Sequence, residues 1–159
     1  MDARNERGQA VVEFVLLFPL VLGPILALVE FGFLMYAYTT VTGATREAAR
    51  FAAVANPVGS ACQAGTIGGR AVEYGGGNVA CGEVAVEFVD RDGDAIAGRG
   101  DGVVVRVVHR YATVTPLGAL WSAFSLGSLP ATFTISACAA SRLELASLEP
   151  SPAWGSNCN

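Results

Sequence analysis

Chemistry in a chain begins with its carboxylates, thiols, imidazoles and amines. Asp90, Asp92 and Asp94 form a D-x-D-x-D run, with Asp101 at the twelfth position of an EF-hand-like count. Oxygen-rich runs of this kind can hold calcium, but the sixth position is Ala95, where such a loop needs Gly, and no helix is expected to flank it. The run therefore reads as a solvated hairpin turn, with weak calcium binding as the alternative. His109 is the only histidine. No Ser or Cys constellation points to it, so a surface or packing role is expected. The ten basic residues are all Arg. Without Lys there is no Walker A loop, Schiff base or Ser-Lys dyad. The net charge of -4 argues against a nucleic-acid partner that works by phosphate neutralisation. We expect no enzyme activity, no cofactor and no metal centre.

Two other carboxylates stand where carboxylates are expensive. Phe14 to Val29 contains no charged or strongly polar side chain, Glu30 interrupts, and Phe31 to Tyr38 continues apolar. A bilayer core needs about 20 apolar helical residues, and 9–38 meets that as a single transmembrane helix with length left for tilt. Tyr36 and Tyr38 suit an interfacial aromatic belt. A buried core helix is disfavoured because so small a domain could hardly enclose it. A signal peptide is disfavoured because no small-x-small cleavage site follows closely. Pro19 and Pro24 each remove a helix hydrogen bond. Gly23, Ala27 and Glu30 share one face at i, i+4, i+7. They form a candidate helix-packing face, or else reflect ordinary small-residue usage in a membrane helix. An acid at mid-membrane costs about 3 kcal/mol, less near the end where Glu13 stands. Cleavage between Gly8 and Gln9 would create an amine at nearly the same depth. On a neighbouring subunit that amine would neutralise Glu13 and set axial register. Otherwise Glu13 sits ionised in the headgroup layer.

The ordered set of these motifs resembles a known family. Arg7-Gly8, then Ala10-Val11-Val12-Glu13-Phe14, then the internal pair Phe18-Pro19, is similar to the type IV pilin-like signal. Val29-Glu30-Phe31-Gly32 and the run Ala44 to Ala53, with Arg46, Glu47 and Arg50, resemble the TadE-like pseudopilins of Tad (Flp) pilus systems. A weaker echo returns at Thr132 to Ala137 and Ser141 to Glu144. The resemblance implies a leader over 1–8, prepilin peptidase cleavage after Gly8, and Glu13 fifth in the mature chain. It implies a bacterial cytoplasmic membrane protein with its N-terminus cytoplasmic and its head exported. Arg4 and Arg7 balance Arg46 and Arg50, so charge bias alone leaves orientation open. The implied partners are membrane lipid, the peptidase, other pilin or pseudopilin subunits and the Tad assembly platform. The alternative is an uncleaved single-pass protein whose head binds a ligand or surface.

The remaining elements must carry that head. The fold expected is α+β, with a long N-terminal transmembrane helix continuing as an amphipathic helix over 39–56 and a small antiparallel sheet in an exported head over 57–146. Val41, Ala44, Ala48, Phe51 and Ala55 form the apolar stripe of the extension. Its Arg46, Glu47 and Arg50 read as a solvated face with a Glu47–Arg50 pair, or as an assembly contact. Asn56-Pro57 should end the helix. Gly59 to Gly82 reads as loop. Cys62 and Cys81 bracket it, and in an oxidising space a disulfide would close it. Cys138 and Cys158 remain. Four cysteines allow three connectivities, so this pairing is a preference, and zinc is disfavoured without CxxC. Strands are expected at Glu83 to Val89 (Val84, Val86 and Phe88 inward), Val103 to Tyr111, and Ala131 to Ala139 (Phe133, Ile135 and Ala137 inward). Leu117 to Leu129 is apolar and too short to span a bilayer. It is expected to cover the sheet, or else to rest on the membrane or a neighbouring subunit. The tail 147–159 should be irregular.

Overall fold

The structure, a computed structural model, describes residues 3–54, 62–93, 97–123, 127, 129–144 and 158. Asn56, Pro57, Asp94 and all of 147–159 except Cys158 lie outside these residues, so the expectations placed on them are not followed further. Elements run in the order α1 (Ala3–Val54), α2 (Ile67–Gly75), a 3-10 turn (Cys81–Glu83), β1 (Val84–Val89), β2 (Gly102–Ala112), α3 (Leu117–Ala123) and β3 (Thr132–Arg142). The chain divides into two compact units, Met1–Met35 with Ala112–Phe133, and Tyr36–Tyr111 with Thr134–Asn159.

Helix α1 is continuous over 52 residues and carries Pro19 and Pro24 within it. One helix among the described residues is long and apolar enough to cross a membrane, and it is this one. In its first part Val11, Phe14, Leu16, Leu20 and Leu28 are open to the surroundings. Its second part buries Ala37, Val41, Ala44, Thr45, Ala48, Ala49, Ala52 and Ala53, a stripe at three- and four-residue intervals. Six of these eight are Ala, which lets neighbouring elements approach the helix backbone closely. The Thr45 hydroxyl is satisfied by donating to the Val41 carbonyl one turn back, at 2.7 Å.

In the second unit, β1 pairs antiparallel with β2, from Val84 opposite Val107 to Val89 opposite Gly102. The three-stranded antiparallel sheet has the order β1-β2-β3. Val103, Val104 and Val105 on the central strand are all buried, so both faces of β2 are covered there. The core gathers Ala48, Ala49 and Ala52 of α1, Ile67 and Ala71 of α2, Val86, Phe88, Val103 and Val105 of the sheet, and Leu143. Ile135 is buried as the alternation of β3 requires, but Phe133 remains exposed.

The glycine-rich stretch is not all loop. Thr66 accepts the Gly69 amide on its hydroxyl at 3.1 Å and caps α2, whose Ile67 and Ala71 turn one apolar face to the core. Gly76, in the left-handed region at φ 53°, ends it. Glycine counts suggested a loop here; a capped turn of helix with two buried apolar residues outweighs the low propensity. Both preferred disulfides are present, Cys62–Cys81 and Cys138–Cys158, with Cα atoms 5.6 and 5.8 Å apart.

Candidate functional site

The residues that stand out as chemistry fall into three groups along α1 and two in the sheet unit. At the N-terminal edge, Gly8, Gln9 and Glu13 lie on α1, all exposed. Gln9 and Glu13 are four apart and so share a helix face, about 6 Å apart along the axis.

The second group is the small-residue face. Gly23 and Ala27 line an apolar groove of about 640 Å³ together with Leu16, Pro19, Leu20 and Pro24 of α1. The opposite wall is Leu117, Leu120 and Trp121 of α3, with Leu129 beyond it. One turn further along the same face, Glu30 is 8% exposed. Its carboxylate accepts the Val114 amide at 3.2 Å from each oxygen and the Thr115 amide at 2.8 Å on Oε2. Within the unit this face is thus lined by Leu117, Leu120 and Trp121 of α3 and by Leu129, with the Val114 and Thr115 amides on Glu30. Within this unit α3 lines the groove with α1, and no α3 residue is buried. An acid in an apolar helix needs donors, and the consecutive Val114 and Thr115 amides supply them; Pro116 disfavours helical backbone at the residue before it, and α3 begins only at Leu117, so these amides are not taken up in that helix. The sequence flagged Glu30 but not these partners. The available signal was the absence of any charge between Arg110 and Arg142.

The third group is the Arg46, Glu47 and Arg50 cluster. Glu47 accepts from Arg50 at 3.2 and 3.3 Å and from Arg70 of α2 at 3.3 Å, while Arg70 also donates to Glu73 at 3.0 Å. The Arg50 hydrogen bond, joined by Arg70, holds the Glu47 carboxyl below its usual range against the opposing effect of burial. The Arg70 guanidinium also stands 6.0 Å from the centre of the Phe51 ring. Arg46 remains exposed. The Glu47–Arg50 pair was legible from its spacing. Arg70 was not, because it sits in the stretch read as loop.

In the sheet unit, single ligand atoms of Asp90, Asp92 and Asp101 fall within 4.8 Å of one another. Their partners explain the grouping. Asp101 is 1% exposed, and its two oxygens accept the Arg91 and Gly98 amides at 2.9 and 2.7 Å. Asp90 accepts the Asp92 and Gly93 amides at 3.1 and 2.6 Å. These carboxylates build the β1–β2 connection as backbone acceptors. His109 of β2 pairs with Glu83 through Nδ1 at 3.0 Å. Burial pushes the Glu83 carboxyl up, but the Ala80 amide and His109 outweigh it and hold it below the usual range.

Against known families, residues 8–50 match the model described as TadE-like protein. The match takes in Gly8, Gln9, Glu13, the small-residue face and the Arg46–Arg50 cluster, and it associates this segment with Tad pili. No curated protein and no solved structure matches the chain.

Proposed function

We propose that the chain is a minor pilin or pseudopilin that takes part in assembling a Tad (Flp) pilus or its secretion machinery. The observation that carries this reading is the TadE-like match over 8–50, coincident with the one helix able to cross a membrane. Before assembly the helix stores the subunit in the cytoplasmic membrane, N-terminus inside and sheet unit exported. Prepilin peptidase cuts between Gly8 and Gln9. The freed amine of one subunit then meets Glu13 of the next, and the match of charge at one depth fixes register between helices. The two disulfides suit an oxidising compartment on the far side of the membrane. Partners on this reading are lipid, the peptidase, other pilin-type subunits and the assembly platform. The chemistry is adhesive, so no catalytic group, cofactor or metal is assigned.

The exposed position of Glu13 favours a contact still to be made over a finished one. A Glu13→Ala variant should reach the membrane in normal amounts yet give few or no pili, counted by electron microscopy or in sheared surface fractions. Wild-type piliation by that variant would remove the register role.

A further inference from the structure

Strand β2 starts beside the end of α1 and runs back toward the apolar span. At its start the Asp101 carbonyl accepts the Leu143 amide at 2.8 Å, and the next residue, Glu144, donates its amide to the Ala53 carbonyl at 3.0 Å. Ala53 lies about 26 Å beyond Tyr36 along α1, and the strand from Asp101 to Arg110 covers about 30 Å. Arg110 is thereby brought back to about the level of Tyr36. Chain length sets a limit from the other side. The Val114 amide is held on Glu30, about 9 Å before Tyr36 on the helix. Four residues span at most about 14 Å, so the Arg110 Cα stands no more than about 5–8 Å beyond Tyr36.

The free charge at this end of the sheet is cationic. The Thr113 amide donates to the Ala131 carbonyl and the Leu143 amide to the Asp101 carbonyl, bonds that hold β2 and β3 in one register with Thr134 opposite Arg110. Directly opposed residues share a face, with Cβ atoms about 5 Å apart. This face is turned away from α1, because Val103 and Val105 of the alternate set pack with Ala48, Ala49 and Ala52. Arg110, Thr134 and Ser136 are exposed on it, and so is Val108. Arg110 makes no ion pair with any described residue. Glu87, the one acid in the three strands, stands opposite Val104, about 20 Å along from Arg110. Glu83 is nearer, but its carboxylate is taken up by His109 and the Ala80 amide.

We propose that Arg110 and Thr134 bind a lipid phosphate of the leaflet from which α1 emerges, so that this end of the sheet rests on the bilayer. The headgroup layer is about 5–7 Å deep on each side of the hydrocarbon, and the long Arg side chain reaches across it. A guanidinium meets two phosphate oxygens at once, and the neighbouring hydroxyl supplies a further donor. Depth selects the source of the phosphate, since phosphodiesters are the anions fixed at that level. The contact holds the sheet in one pose while the chain waits in the membrane. This inference rests on α1 crossing the membrane, which belongs to the reading above; it does not rest on orientation, cleavage or filament assembly.

Two measurements on the full chain in phosphatidylcholine vesicles test it. The first reads level. With Trp121→Phe and Trp154→Phe in place, one indole is introduced at a time, and part of the lipid carries a nitroxide on its headgroup. Val108→Trp, close to Arg110 on the same face, should lose most of its emission to the nitroxide. Val54→Trp, about 27 Å beyond Tyr36, should keep nearly all of its own. The second reads contact. With carbon-13 at every Arg Cζ, lipid phosphorus should dephase part of the Arg signal in solid-state NMR. Arg110→Lys keeps the charge but deletes one of the ten labelled carbons, and it should lower the dephased part by one site. Dephasing unchanged by Arg110→Lys would mean that Arg110 holds no phosphate, and the inference would be overturned. A chain with Leu28→Trp, Trp121→Phe and Trp154→Phe reads α1 itself. If bromine at mid-chain quenches that chain while the indole at position 108 is as unquenched as the one at position 54, the sheet stands off the leaflet. The inference is then overturned with the anchor intact. If the indole at position 28 is open to aqueous iodide, the membrane reading fails first and takes this inference with it.

Discussion

Glu83 shows how one carboxylate can serve two neighbours. It reaches back to the Ala80 amide at 3.0 Å, which tightens the turn into β1, and it pairs with His109 on β2. Its carboxyl is held below the usual range although burial opposes this. A lowered folded value means that the stabilisation is present above the unfolded value and is lost as pH falls through the folded one. Urea unfolding of the detergent-solubilised chain should therefore weaken between pH 5 and 3 more steeply for the wild type than for Glu83→Gln. Parallel curves would show that the pair contributes nothing to folding. The same residue scale explains what could be read in advance. Glu30 and Glu13 were conspicuous because an acid in an apolar helix demands a reason. Asp101 looked like one more solvated acid, because only the fold shows that the Arg91 and Gly98 amides converge on it.

At the scale of elements, pattern was legible where one period persisted. The apolar stripe in the second part of α1 and the alternation of Val84, Val86 and Phe88 follow from repeats of 3.6 and 2, while the first part of α1 was legible from its unbroken apolar length. Helix α2 was hidden because the glycines at 68, 69, 75, 76 and 77 suggested a loop, and its nine residues give a periodic signal only about two and a half turns long. Those glycines act individually. Gly75 is buried, and a Cβ there would come within 2.6 Å of the Val79 side chain, whereas a Cβ on Gly82 meets nothing within 4 Å. Gly75→Ala should destabilise the folded chain by about 1–3 kcal/mol through overpacking, measured by the shift in urea midpoint at constant slope. Gly82→Ala should be close to neutral. Equal midpoints for the two variants would contradict the close packing of α2 on the 79–81 turn. Helix α3 carries apolar side chains with none of its residues buried, and which surface so short an apolar segment covers is decided by its neighbours and not by its own pattern.

For the whole molecule, the long helix is the element that joins sequence, fold and function. Its first part exposes apolar side chains to the surroundings, and its second part is built into the core with the sheet and α2. The TadE-like match ends at residue 50, close to the end of the helix, and the sheet lies beyond it. That division is physically reasonable. On the proposed reading the helix would meet lipid and neighbouring helices, which would constrain residue type at many positions, while a small sheet needs only an alternating pattern and a filled core. The account's central claim is that this helix is a pilin-type segment, and processing is the property a plain anchor lacks. The direct measurement is the N-terminus of the membrane-extracted protein, by intact and peptide mass spectrometry, from cells with and without active prepilin peptidase. The account predicts a chain starting at Gln9, free or cyclised, only where the peptidase is active. A chain that still starts at Met1 in those cells would contradict it and leave a permanent single-pass anchor.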